Sequence, residues 1–283
     1  MKVTEALAHA RTRPVFVSDF SPPRGGDPSL LGDAAKLDAD FICVAYNPGK
    51  AVRMDSMAAA CEIARATGKG TVFNFSPRDA NKLALQTRLL GAQALGLENV
   101  LVVQGDAVTE RDSFRAVSEL TATGLVGSIA QMNEGVDFKG GKLRSPTDFC
   151  IGASMDLGRG VEHEVTLTQR RVAAGAHFLV TQPVFDARLI TDFGEAYLAL
   201  AGEDLPIPVF WGLQILVADG VLFSNVPEDV RADLARGRDG VDIALEAYSE
   251  LRAAGVDAIY LVSPIMRGGA RDYDAAARFL AQT

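Results

Sequence analysis

Cysteine is scarce in this 283-residue chain. Cys43, Cys61 and Cys150 are odd in number and lack metal-ligand spacing. The first and last fall inside apolar stretches, so they read as buried thiols of a reducing compartment. Positive charge is also short. Lys+Arg number 28 against 36 Asp+Glu, a net charge of −8, which argues against a nucleic-acid partner and leaves only local anion sites built from arginines and helix N-termini. No apolar run is long enough to span a bilayer, and residues 1–14 do not read as a signal peptide. The expectation is a cytoplasmic protein with no membrane partner. There is no G-x-G-x-x-G after the first strand and no Walker A sequence.

What is present is a regular alternation. Residues 70–106 read as strand, helix, strand: 71–75 is apolar and β-rich, and 99–103 (NVLVV) is a continuous apolar run, as a doubly buried parallel strand should be. Between them, Ser76 and Pro77 read as a helix N-cap and first position, with Asp79 completing a capping-box variant. Leu83, Leu90, Ala94 and Leu97 fall near a 3.6 period and predict the buried face. Further strands are expected at 14–21, 40–46, 149–154, 177–184, 207–215 and 258–263. Helices are expected at 3–11, 29–37, 54–67, 113–123, 162–174, 187–201, 227–236, 242–254 and 270–282. The polar, glycine-rich stretch 128–148 is too long for a plain connector. Eight strands alternating with helices predict an α/β fold, a (β/α)8 TIM barrel forming a single domain over residues 1–283.

In such a barrel the carboxyl ends of the strands share one face. Those ends carry Asp19, Tyr46-Asn47, Asn74, Gln104 to Asp106, Ser154 to Asp156, Gln182, Gln214 and Ser263. None of the seven lysines falls in a predicted strand, which counts against a Schiff-base aldolase. His9, His163 and His177 are not at carboxyl strand ends either, which counts against a catalytic zinc or iron, so no metal is expected. Acids, amides and hydroxyls suit polar recognition of a heteroaromatic ligand, with carboxylates for proton transfer and a bound cofactor for the harder chemistry.

Several stretches in order, VSDFSPPRG, FICVAYNPG with Arg53-Met54, SPRDANKLALQ to VLVVQGD, NEGVDFKGGKLRSPTDFCIG and AGAHFLVTQPVFD, resemble the methylenetetrahydrofolate reductase family. The similarity is greatest to its bacterial branch fused to homocysteine methyltransferase domains. The resemblance implies FAD-dependent reduction of 5,10-methylenetetrahydrofolate to 5-methyltetrahydrofolate. NADH or NADPH would be the electron donor, with ping-pong hydride transfer through the flavin. It places the catalytic acid at Asp19, where the family has Glu, and a second functional carboxylate at Asp106, near flavin and pterin. It implies a substrate-binding Gln182 with Asp106 and Tyr46, and cofactor contacts from Asn74, Arg78, Gln104, Gly105, Asp106 and Arg171. Asn74 stands where relatives carry His, and Gln104 where they carry Arg. Loop 132–147, with Asn133, Gly135, Asp137 and Pro146-Thr147, reads as a lid over flavin or folate, while Phe210 and Trp211 read as core. A folate-binding paralogue, or a 5-methyltetrahydrofolate-oxidising enzyme of a demethylation pathway, with flavin or independent of it, is the alternative. A homo-oligomer and a separate electron-donor subunit remain open as partners.

Overall fold

The computed structural model describes residues 1–10, 13–222 and 226–283. The predicted end of the first helix at Arg11 lies outside them. The eight strands are β1 (Val15–Phe20), β2 (Phe41–Val44), β3 (Gly70–Phe75), β4 (Asn99–Val102), β5 (Cys150–Met155), β6 (Phe178–Pro183), β7 (Val209–Gln214) and β8 (Ala258–Val262). All neighbours pair in parallel, and β8 pairs back onto β1 with Val15 beside Ala258, closing the barrel. Strands β1, β2 and β4 are buried along their whole length because both faces are covered.

Two layers of core follow. Inside the barrel lie Val15, Val17, Phe41, Cys43, Val72, Leu101, Phe178, Val180 and Phe210. The rings of Phe41 and Phe178 lie over the register partners Gly70 and Gly152 of the neighbouring strands, where a Cβ would come within 2.5 Å and 2.3 Å of the ring. The larger layer fills the space between strands and helices. The helices are α1 (Val3–His9), α2 (Ser56–Thr67), α3 (Lys82–Ala94), α4 (Ala122–Asn133), α5 (Val161–Ala173), α6 (Arg188–Ala201), α7 (Glu228–Ala235), α8 (Gly240–Ala253) and α9 (Tyr273–Leu280). In place of the helix expected at 29–37 there is a 3-10 helix over Pro28–Lys36. Phe210 and Trp211 are buried as expected, Trp211 with its edge against Phe193.

The segment between β3 and β5 departs from expectation. Helix α3 starts after Asn81, whose side chain caps the Ala84 N–H. Ser76 is used elsewhere: its Oγ accepts from Arg78 N and donates to the Gln104 carbonyl. The face of α3 that enters the core is Leu85, Gln86, Leu89 and Ala92, while Leu83 is 64% and Leu90 42% exposed. Residues 113–121 are not helical; the helix lies later, at α4, overlapping only the last two residues of the expected helix and running into the stretch 128–148 expected to be loop. The lid reading of 132–147 is therefore corrected. A connection that follows a helix and precedes a strand lies at the amino end of the barrel, away from the strand carboxyl ends. There Thr147 Oγ1 donates to Asn133 Oδ1 at 2.7 Å and Asp148 meets Lys2 at the chain start. The long connection at the carboxyl face is 103–121.

Candidate active site

The strand carboxyl ends open into a cavity of about 480 Å³. Of the sequence-derived candidates, Asp19, Tyr46, Asn74, Gln104, Gly105, Asp106, Arg171 and Gln182 line it. Arg78 does not. It is buried one layer back, and the third helix, whose N-terminus it was expected to occupy, begins four residues later. Its guanidinium makes two 2.7 Å bonds to Asp79 and one of 3.2 Å to the Asp106 carbonyl, and sits over the rings of Tyr46 and Phe114. It holds the β4 connection in place.

Asp19 ends β1 and is almost fully buried. Its Oδ1 accepts from the Tyr260 hydroxyl at 3.1 Å and its Oδ2 from Arg271 Nε at 3.2 Å. Tyr260 comes from β8, which the barrel closure sets beside β1, and Arg271 comes from the connection after it. Both line the cavity, and neither was singled out from sequence. The signals available were one polar aromatic inside an apolar strand, AIYLVS, and an arginine directly before the Asp272 cap of α9. Burial together with the charge of Asp19 pushes the Tyr260 phenol well above its ordinary range, so it stays protonated at neutral pH.

Asp106 follows Gly105, whose φ is +78° and where a Cβ would meet Ser76 Oγ at 2.9 Å, so only glycine fits. One Asp106 oxygen accepts from the Gly49 N–H at 3.1 Å. Lys50 ties the same loops together, bonding the Ala107 carbonyl and, at 2.7 Å, Asp112. Gln182 is exposed because β6 shifts register against β7 between Val180 and Pro183. Its side chain makes no hydrogen bond among the described residues, leaving donor and acceptor free. The Tyr46 hydroxyl donates to Asp79, so Tyr46 offers the cavity its ring. Gln214 and Ser263 do not line the cavity; the Gln214 amide turns to the Val221 carbonyl.

Of the remaining expected cofactor contacts, Asn74 and Gln104 have their side-chain oxygens engaged inside the chain. Asn74 Oδ1 accepts from the Cys43 thiol, and Gln104 Oε1 accepts from the Ala122 N–H at the start of α4. Arg171 is paired at 2.8 Å with Glu164, two turns earlier on α5 and 1% exposed. A flavin dinucleotide carries a diphosphate that needs a free cation or a bare helix N-terminus. Arg78 and Arg171 are both paired with carboxylates, and the groups left to meet a diphosphate are Arg159 on the cavity wall and the first turn of α5, which has no side-chain cap. Among the described residues there is also no cluster of ligating side chains that would hold a metal.

The fold is a closed (β/α)8 barrel with carboxylates and an amide lining the cavity at its carboxyl face. The chain matches the methylenetetrahydrofolate reductase family over residues 3–213 and belongs to it. Among solved structures it resembles an uncharacterized Clostridium thermocellum protein that binds two copies of 5-methyl-5,6,7,8-tetrahydrofolic acid. The identity is 13%, the TM-score 0.70, and 98% of each chain is covered. It also resembles 2,3-dimethylmalate lyase of the PEP mutase/isocitrate lyase superfamily, at 12% identity and TM-score 0.52, covering 93% of this chain and 79% of that one. At these identities both likenesses speak to the fold alone.

Proposed function

We propose that this protein is an oxidoreductase that binds a reduced folate at the barrel mouth and converts 5,10-methylenetetrahydrofolate to 5-methyltetrahydrofolate with electrons from NADH or NADPH. The observation that carries the reading is a buried Asp19 held by two donors on one side of the cavity, with Asp106 and Gln182 on the same lining. A pterin presents a ring N–H and an amino group side by side, which a carboxylate accepts together; Asp106 supplies it. Gln182 pairs with the remaining mixed donor and acceptor edge. The Tyr46 ring forms part of the wall. Asp19 passes a proton to the bridging nitrogen, the five-membered ring opens to an iminium, and hydride reaches the one-carbon unit. FAD is the donor the family resemblance implies, and Arg159 with the first turn of α5 would hold its diphosphate.

The Clostridium protein's ligand is the product of this reaction. The same proton and hydride run backwards would oxidise it, so the direction and a binding-only role are separated by turnover. Assay with NADH or NADPH and methylenetetrahydrofolate, following the 5-methyl product, is the test. Asp19→Asn is expected to lower kcat by about 10²–10⁴-fold, the range for loss of a positioned proton donor, at unchanged folate Kd. Full turnover by Asp19→Asn would remove Asp19 from the reaction.

A further inference from the structure

Arg53 is a partly buried cation without a counter-charge. It stands in the connection after β2, where its backbone N–H donates to Asn47 Oδ1 at 3.2 Å. Its guanidinium is wedged between the connections that follow β1 and β8. Nη1 donates to the Pro22 carbonyl at 3.2 Å, and Nη2 lies 3.5 Å from where a Cβ on Gly269 would stand. Nε is buried without a hydrogen-bond partner. No carboxylate pairs with Arg53 among the described residues. Burial, then the charges of Arg24 and Arg271, hold its pKa below the usual guanidinium range. Arg24, two residues past Pro22, is exposed and makes no hydrogen bond or ion pair among the described residues. Arg271 is taken by Asp19. Two arginines on this rim are thus free of carboxylates in a chain whose net charge is −8. A half-buried charge is costly unless something of opposite sign meets it. No group described in the chain does, so the counter-charge comes with a ligand.

The place of the pair says which ligand. Asp19 and Arg271 line the cavity, as do Tyr46, Pro48 and Gly49 from the connection that carries Arg53. In the reading above, Asp106 and Gln182 hold the pterin and Asp19 meets the bridging nitrogen. That nitrogen carries the p-aminobenzoyl group, whose far end is a glutamate with two carboxylates. The tail therefore leaves the pocket past Asp19, on the β1 side, and from Asp19 the cations run through Arg271 to Arg53 and Arg24. Arg159 and the first turn of α5, which would meet a flavin diphosphate, follow β5, across the ring from β1. The two anions do not compete for the same groups.

We propose that Arg53 and Arg24 bind the glutamate carboxylates of the folate tail, at the rim where the connections after β1, β2 and β8 meet. The proposal deepens the folate reading and rests on it. Arg53 Nη2 donates to no group described in the chain, and every donor of Arg24 is free, so a carboxylate can be met by either guanidinium without breaking a bond of the fold.

The test compares 5-methyltetrahydrofolate with the same compound in which both glutamate carboxylates are amides, by isothermal titration of the purified protein. The diamide keeps the size of the tail and removes its charge. The wild type is expected to bind it about 10- to 100-fold more weakly than the folate. Arg53→Gln is expected to lose most of that preference and Arg24→Gln to lose it several-fold. Arg24 touches nothing described in the fold, so its variant reads the tail without a folding change. The preference of the wild type should also shrink as salt rises to about 0.15 M. Equal binding of folate and diamide by the wild type, or an unchanged preference in both variants, overturns the tail site and leaves the folate reading standing. So does a variant whose only loss is in the KM for NADPH relative to NADH, which assigns the arginines to a phosphate. Failure of the wild type to bind either compound overturns the folate reading, and the tail site with it.

Discussion

At the scale of the residue, the decisive group is a carboxylate whose two oxygens are held from the far end of the chain. Tyr260 and Arg271 are 241 and 252 positions from Asp19, and only barrel closure joins them. Asp19, Asp106 and Gln182 were legible in sequence because each sits at the end of a recognisable strand. Tyr260 and Arg271 were not, because a hydrogen bond across the closure leaves no local pattern. Tyr260→Phe keeps the ring in its apolar surroundings and removes one donor. Hydrogen bonds to charged groups are worth about 1.5–3 kcal/mol, so kcat should fall roughly 10- to 100-fold while folate Kd is kept. Since the phenol stays protonated well above neutral pH, the wild-type rate should show no tyrosine limb below about pH 10. A variant with wild-type kcat would show that the orientation of Asp19 does not depend on this bond.

At the scale of the element, the sequence placed the strands and misplaced what lies between β3 and β5. Leucines at 83, 85, 89, 90, 95 and 97 surround α3, and such a helix offers more than one apolar stripe. Periodicity alone does not say which stripe meets the barrel; the chain entry from Asn81 does. The shift from an expected helix at 113–123 to α4 has a similar cause. Residues 107–121 are fastened by side chains rather than by helical bonds. Lys50 reaches Asp112, which also accepts from the N–H and hydroxyl of Thr109. These contacts hold the Asp112 carboxyl down at about 2. Its folded-state value lies below its unfolded one, so its contribution is complete above pH ~4 and is lost as pH falls through about 2. Asp112→Asn should mimic the acid form at neutral pH. Limited proteolysis within 107–119 should speed up, with folate Kd weakened several-fold through the Gly49–Asp106 contact. Unchanged cleavage in the variant would show that the loop is ordered by other contacts.

At the scale of the whole molecule, the barrel was legible because alternation of apolar runs with helices is a global pattern, insensitive to errors of a few residues at any boundary. What the pattern does not carry is the packing inside the ring, where the Phe178 ring needs the empty position of Gly152 on the next strand. Phe178 in turn meets Phe210 edge-on at 5.9 Å, so the disturbance reaches β7. Gly152→Ala puts a methyl carbon where the ring now lies. The ring and strand must shift, and overpacking of this kind costs about 1–3 kcal/mol. A closed barrel has no free edge at which one part can let go first, because each strand is hydrogen-bonded on both sides. The loss should therefore appear as one cooperative transition displaced downward by several degrees, at roughly 2–4 °C per kcal/mol for a chain of this size class. Far-UV and near-UV circular dichroism should follow the same curve. Two separated transitions in the variant would mean that β5 and β6 unfold apart from the rest, and that the ring is less of a unit than its pairing implies.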